Sequence, residues 1–255
     1  MLSKNKIKFI LSLARKKNRD AEQVFLAEGN KLVTEAIGSG FTIELLCGTA
    51  DFLKENKIDR LCANEVLEVS AEEIKKASLL QSPQDALAVV RMPGYGFSPD
   101  LIAGEFSLAL DSIQDPGNMG TIMRIADWFG IKHILCSEST VDCYNPKVIQ
   151  SGMGAIFRVQ AHYLELPQTL ARAARSGLPV YGTFLDGENI YDHPLSQNGI
   201  LVMGNEGNGI SAEVAKTISA GIHIPSYPPN GQSSESLNVA VAAAICCAEF
   251  RRRLK

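Results

Sequence analysis

From residue 105 onward the chain repeats one pattern: an apolar run of strand length, then a helical or loop stretch, then another run. FSLALDSI, HILCSEST, LPVYGTFL, GILVMG and GIHIPS are the runs. Strands returning at this spacing predict an α/β domain, a parallel sheet covered on both faces by helices.

The first ninety residues alternate on a smaller scale. Lys4 to Ala14 has the period of an amphipathic helix, VFLAEG reads as a strand ending in a turn, and Asn30 to Ile37 reads as helix. IELLCG and ALAVV are strands, and ANEVLEVSAEEIKKASLL holds a strand followed by a helix. A small α/β domain follows. Between the two regions MPGYGFSPD, with two prolines and two glycines, fits neither period and reads as a linker. The expected division is 1–92, a linker over 93–104, and 105–255.

A length of 255 residues with 45% hydrophobic composition supports well-formed cores. No run approaches the roughly 18 consecutive apolar residues of a membrane helix, and the chain reads as soluble and cytoplasmic. The 6 cysteines form no CxxC pair and the 4 histidines are scattered, so no metal site is expected. Cys246-Cys247 reads as a pair of small buried thiols in a helix.

Charge is uneven beneath a formal net of -3. Lys4, Lys6, Lys8, Arg15, Lys16, Lys17 and Arg19 crowd the first twenty residues, and Arg251, Arg252, Arg253 and Lys255 lie at the other end. Ile7, Ile10, Leu11 and Ala14 give the first helix its apolar stripe, which leaves the basic residues outside it. Arg15, Lys16, Lys17 and Arg19 are therefore the candidates for contact with a polyanion.

The stretch QDPGNMGTIMRIADWFG, Gln114 to Gly130, poses the sharper question. A glycine-rich turn opening a helix is one way to hold phosphate, but no Lys follows Gly120 as a Walker loop requires, and Gly117 and Gly120 have the wrong spacing for a dinucleotide fingerprint. That argues against a nucleotide-dependent oxidoreductase too. With a helix start near Asn118, Ile122, Ile125, Ala126 and Phe129 form the core stripe, and Thr121, Arg124 and Trp128 lie off it. Arg124 is then free to face a ligand. Asn118 alone reads most simply as a helix cap or turn residue.

Two further segments change this reading. LVMGNEGNGIS is an apolar strand running into a glycine-rich loop, and IPSYPPNGQSSESLNVAVAAAICCAEF is a strand end, a polar loop and a helix of small residues. Together the three segments resemble the SpoU (TrmH-like) branch of the SPOUT methyltransferases. The first family motif is matched by Asn118, Gly120, Ile122, Arg124, Ala126, Phe129 and Gly130. The second is matched by Gly204, Asn205, Glu206, Gly207, Gly209 and Ile210, and the third by Ile224, Pro225, Ser236, Leu237, Asn238 and Val239. KVIQSGMGAIFRV resembles a further family segment, and SPQDALAVV the end of the preceding substrate-binding domain.

The resemblance implies a 2′-O-ribose methyltransferase that uses S-adenosylmethionine and acts on RNA, with rRNA favoured over tRNA. It implies a SPOUT domain with a parallel sheet and a deep trefoil knot, behind an N-terminal domain similar to ribosomal protein L30. A homodimer is implied as well. Residue by residue, it places Gly204, Asn205, Gly207, Ile224 and Leu237 at the cofactor, and Arg124, Asn118, Ser236, Asn238 and Glu206 in the catalytic set. Arg15, Lys16, Lys17 and Arg19 remain the expected RNA contacts. The loop SYPPNGQSSE, Ser226 to Glu235, is longer than the family's compact loop. A protein that keeps this fold without catalysis, binding RNA only, is the alternative.

Overall fold

The computed structural model describes residues 2–227 and 236–253, so most of the Ser226 to Glu235 loop, and Lys255, lie outside the described residues. The chain divides into two compact units, residues 1–94 with 142–158, and residues 95–141 with 159–255.

The first unit begins with helices α1 (Lys4–Ser12) and α2 (Lys16–Glu22). Strand β1 (Val24–Glu28), helix α3 (Asn30–Gly38), strand β2 (Ile43–Gly48) and helix α4 (Ala50–Glu55) follow. Strand β3 (Val66–Glu68), helix α5 (Ala71–Ala77) and strand β4 (Ala86–Arg91) complete the N-terminal part. The sheet order is β1-β4-β2-β3, antiparallel about β4 and parallel between β2 and β3. Helix α5 starts at Ala71 because Ser70 and Glu73 form a reciprocal capping box. Ile10, Leu13, Leu26, Leu45, Ile74, Leu87 and Val89 form the core.

Residues 142–158, which lie within the second sequence domain, belong to this first unit. Their helix, α7 (Pro146–Gly152), packs on β1. Buried Phe25 explains the attachment, with its ring centroid 5.0 Å from Tyr144 and 6.1 Å from Phe157.

The second unit contains β5 (Phe106–Leu110), α6 (Pro116–Trp128), β6 (His133–Cys136), β7 (Gln160–Tyr163) and α8 (Leu166–Arg175). It continues with β8 (Val180–Asn189), β9 (Gly199–Met203), α9 (Ala212–Ala215), β10 (Ala220–His223) and α10 (Val239–Arg252). The sheet has six strands in the order β10-β8-β9-β5-β6-β7, and every pairing is parallel. Side-chain parity shows that both faces are covered. Ala109 on β5 belongs to a cluster with Leu166, Leu170 and Val214 from α8 and α9, whereas Phe106, an odd number of residues away, stacks on Phe250 of α10 at 4.3 Å.

Strands β5 and β9 lie side by side at the centre, yet β5 is followed in sequence by β6 on its other flank. In an open parallel sheet the carboxyl ends of strands at such a reversal of order are the usual place for a ligand. The loops that leave those ends begin at Asp111 and Gly204.

Candidate active site

Helix α6 begins two residues before Asn118. Asp115 is its N-cap, accepting a hydrogen bond from the Asn118 backbone N–H at 2.8 Å, and Pro116 occupies the first turn. Asn118 is therefore no cap, and its side chain is released from local work. Asn238 does cap its own helix: its Oδ1 accepts from the backbone N–H groups of Ala240 and Val241 at the start of α10.

This cap dictates the polarity of a side-chain relay. With Oδ1 of Asn238 committed to the helix, its Nδ2 donates to Oδ1 of Asn118 at 2.9 Å. Asn118 in turn donates through Nδ2 to Oε1 of Glu206 at 2.8 Å. Each amide orientation follows from the one before it, ending on an acceptor-only carboxylate. One residue from each of the three motifs is joined in this relay, and each amide nitrogen keeps a second N–H.

The loop that presents Glu206 is folded by Asn205. Its Oδ1 accepts from the backbone N–H groups of Gly207 and Asn208, both at 3.0 Å, and its Nδ2 donates to the Ser112 carbonyl at 2.8 Å. Backbone bonds between Asn205 and Gly209 close the turn. Gly204 must be glycine for the same reason, because a Cβ there would lie 2.3 Å from the Gly209 carbonyl carbon and 2.4 Å from the Ile210 nitrogen. The side chain of Asn205 and the N–H of Gly207 are thus engaged within the loop.

Arg124 lies on the exposed side of α6 with no hydrogen-bond or ion-pair partner among the described residues. It is roughly 9 Å along the helix axis from Asn118. It stands outside the relay, and Glu206 meets Asn118 rather than Arg124. Ser236 is exposed, and the capping role open to it belongs to Asn238. The buried stripe of α6 is Met119, Gly120, Ile122, Met123 and Ala126, with Ile125 and Phe129 only half-buried.

Ile224 follows β10 and Leu237 precedes Asn238. Their backbone groups have no hydrogen-bond partner among the described residues, and Leu237 is 48% exposed. Apolar side chains beside accessible backbone suit an adenosyl group, whose base needs a dry face and a few backbone bonds.

Part of each basic cluster is put to other uses. Arg19 is 1% exposed and donates to the carbonyls of Leu13 and Ala14 and, at 2.5 Å, to Asp142. It is an internal brace of the first unit and corrects the expectation of an RNA contact there. Arg15, Lys16 and Lys17 are exposed, Lys16 pairing with Asp20 at 2.8 Å. Near the other end, Arg251 donates to the carbonyls of Phe129 and Gly130 behind α6, and Arg253 to those of Ile190, Tyr191 and His193. Arg252 and Arg253 flank buried Glu249, and hydrogen bonds from Arg252 and then Arg253 hold its carboxyl below the usual range. Desolvation pushes the Cys246 thiol up to about 12 and Cys247 higher still, so neither is a nucleophile.

The family model of the SpoU rRNA methylases matches residues 105–248, and that of the MRM3-like substrate binding domain matches residues 4–88. The chain belongs to the SpoU rRNA methylase family. It is an S-adenosylmethionine-dependent RNA methyltransferase.

A SpoU relative from Bacillus subtilis, the 23S rRNA (guanosine(2553)-2′-O)-methyltransferase RlmP, is 33% identical over 96% of this chain and 96% of its own. A solved TrmH-family structure from Porphyromonas gingivalis superposes with a TM-score of 0.89 at 44% identity, covering 99% of each chain. The AdoMet-bound rRNA methyltransferase from Sinorhizobium meliloti gives a TM-score of 0.87 at 30% identity, over 100% of this chain and 98% of that one. Among the described residues no group of His, Cys, Asp and Glu could hold a metal ion, and no helix is long and apolar enough to cross a membrane.

Of the residues singled out from sequence, the fold brings Asn118, Glu206 and Asn238 into direct contact. Sequence reading missed Asp111, Ser112, Asp115 and Ser137. Asp115 was findable, since an Asp followed by Pro is a helix-start signal. Asp111 is 4% exposed and accepts the Ser211 N–H at 2.7 Å, a contact that no local pattern announces.

Proposed function

We propose that this enzyme methylates the 2′-hydroxyl of a ribose in large-subunit ribosomal RNA, on a guanosine as RlmP does. The observation that carries the reading is the relay from Asn238 through Asn118 to Glu206, which turns three distant segments into one polar surface at the switch point of the sheet.

When bound, S-adenosylmethionine supplies a methyl group on a sulfonium, and the protein's task is to align an oxygen with it. Ile224 and Leu237 hold the cofactor by backbone groups and apolar contact, the missing side chain at Gly204 lets it approach the backbone, and Asn205 and Gly207 border it by shaping the loop. Asn118 and Asn238 present their second amide protons to the ribose, fixed in direction by the relay. Preorganised donors of this kind act mainly through positioning. Arg124 grips an RNA phosphate and stabilises negative charge developing on the 2′-oxygen. It does not take the proton, because guanidinium keeps its own, with a pKa above about 12. The proton passes to RNA phosphate or water. Ser236 contacts RNA beside Asn238, and Arg15, Lys16 and Lys17 contact it on the first unit.

We further propose that the enzyme works as a homodimer. Apolar side chains of the second unit support this: Trp128 is 84% exposed and Val241 49%, with Ala248 exposed two turns further along the same face of α10. Mapping of ribose methylation in ribosomal RNA from cells with and without the protein tests the substrate. Loss of one 2′-O-methylguanosine in 23S rRNA is expected, and an unchanged map refutes the assignment.

A further inference from the structure

Among the described residues, four other than glycine have positive φ: Gln23, Lys57, Ser112 and Met153. Gln23 and Met153 cap the C-termini of α2 and α7, and Lys57 follows the last turn of α4. Helix ends commonly use the left-handed conformation, so those three need no further explanation. Ser112, with φ of 61°, follows a strand and ends no helix. A strained residue of this kind persists only where its surroundings over-determine it.

The surroundings of Ser112 do so from several directions. Its N–H donates to Ser137 Oγ at 2.9 Å, and Ser137 Oγ lies 3.0 Å from Thr140 Oγ1, which donates to the Leu110 carbonyl. Its own hydroxyl lies 2.6 Å from Ser139 Oγ and 3.4 Å from the Asp111 carboxylate. Its carbonyl is left to receive Asn205 Nδ2 at 2.8 Å, a contact across 93 positions of sequence. Asn205 uses its remaining side-chain oxygen to fold the turn that carries Glu206.

We infer that Ser112 and Ser137 are positioning residues for methyl transfer, the left-handed turn at Ser112 aiming the carbonyl that anchors Asn205 and, through it, Glu206. The inference rests on the reading of Asn118 and Glu206 as part of the active site. Neither serine touches the relay, and neither belongs to the three motifs. What matters at Ser112 is its backbone conformation, and at Ser137 its hydroxyl.

The test is single-turnover methylation of substrate rRNA by the full-length enzyme, with cofactor affinity and Tm measured beside it. Ser137→Ala, which leaves the Ser112 N–H without its partner, should lower the transfer rate about ten-fold or more, the scale of a small misplacement at a reacting centre. KM for RNA and Tm should change little, and Ser137→Thr should restore the rate. Ser112→Val, whose branched side chain resists positive φ, should lower the rate similarly, and Ser112→Gly should restore it. In an Asn205→Ala background Ser137→Ala should have no further effect, since both act through one anchor. Additive losses, or a Ser137→Ala rate equal to wild type, overturn the inference. Wild-type enzyme that transfers no methyl to rRNA ribose overturns the functional reading instead, so the two failures are distinguishable.

Discussion

Replacing Asn118 with Asp keeps the shape of the side chain and inverts one contact. Asn238 Nδ2 still meets an oxygen at the 2.9 Å position, but two carboxylates face each other where Asn118 donated to Glu206 at 2.8 Å. Two unit charges about 3 Å apart repel by about 1.4 kcal/mol in water and about 5.5 kcal/mol at an effective dielectric of 20. Asn118 is half-buried and Glu206 exposed, so the lower end of that range governs, about 2 kcal/mol. Loss of a hydrogen bond to a charged acceptor adds about 1.5 kcal/mol. The sum, about 3.5 kcal/mol, corresponds to a rate roughly 300-fold below wild type if the relay sets the ribose donors. A close carboxylate pair also retains a proton to higher pH than either member alone, and the protonated pair regains an O–H···O bond. Relative to wild type, the Asn118→Asp enzyme should therefore recover as pH falls from 8 to 5. Adding Glu206→Gln should rescue it at neutral pH, because the amide then at position 206 donates to the carboxylate at position 118 and restores the contact with its direction reversed. The assay is single-turnover transfer of labelled methyl groups to rRNA at saturating cofactor. A variant within a few-fold of wild type at every pH, or a second substitution that deepens the loss, refutes the relay.

Three further outcomes are expected. Arg124→Ala should bind cofactor normally by calorimetry and lose transfer by about 100-fold or more, the usual cost of a lost transition-state donor; near-normal turnover removes Arg124 from the mechanism. Arg19→Ala strands Asp142 and two carbonyls in a buried site and should cost about 3–5 kcal/mol in chemical denaturation, while neutralising Arg15, Lys16 and Lys17 should leave stability alone and flatten the salt dependence of RNA binding by up to about three phosphate contacts. Burial, with His133 beside it, depresses His162 to about 4, so its contribution is present above the unfolded value near 6.5 and is lost as pH falls through 4. His162→Phe should accordingly make stability fall less steeply as pH drops between those limits, read from urea melts across that pH range.

Much of the molecule is legible in its residues because the signals are local and redundant. Strands β5, β8, β9 and β10 are apolar runs long enough to be recognised, and their covered faces follow from that. Strand β7, Gln160–Tyr163, escapes because it sits at the sheet edge, where Gln and a partly exposed Tyr are tolerated. The attachment of residues 142–158 to the first unit escapes for a different reason. It depends on Phe25 meeting Tyr144 and Phe157, three aromatic residues that look like ordinary core in their own segments. Basic residues mislead in the same way: Arg19 and Arg253 look solvated in sequence, and only the fold supplies the carbonyls and carboxylates that absorb them.

The sequence by itself determined the parallel sheet, since periodicity is a property of short windows, and its resemblance to the SpoU family at three motifs made Asn118, Arg124, Glu206 and Asn238 candidates. Tertiary structure alone decided what those residues do to one another. A hydrogen-bonded amide carries no mark in sequence of which end faces which partner. Asp115 took over the capping of α6, Asn238 kept that of α10, and these two local assignments oriented a relay reaching across 120 positions to Asn118 and 88 more to Glu206. The anchor at Ser112 belongs to the same class, because a backbone held at positive φ by a distant hydroxyl exists only once β5, β6 and the loop after β9 lie side by side.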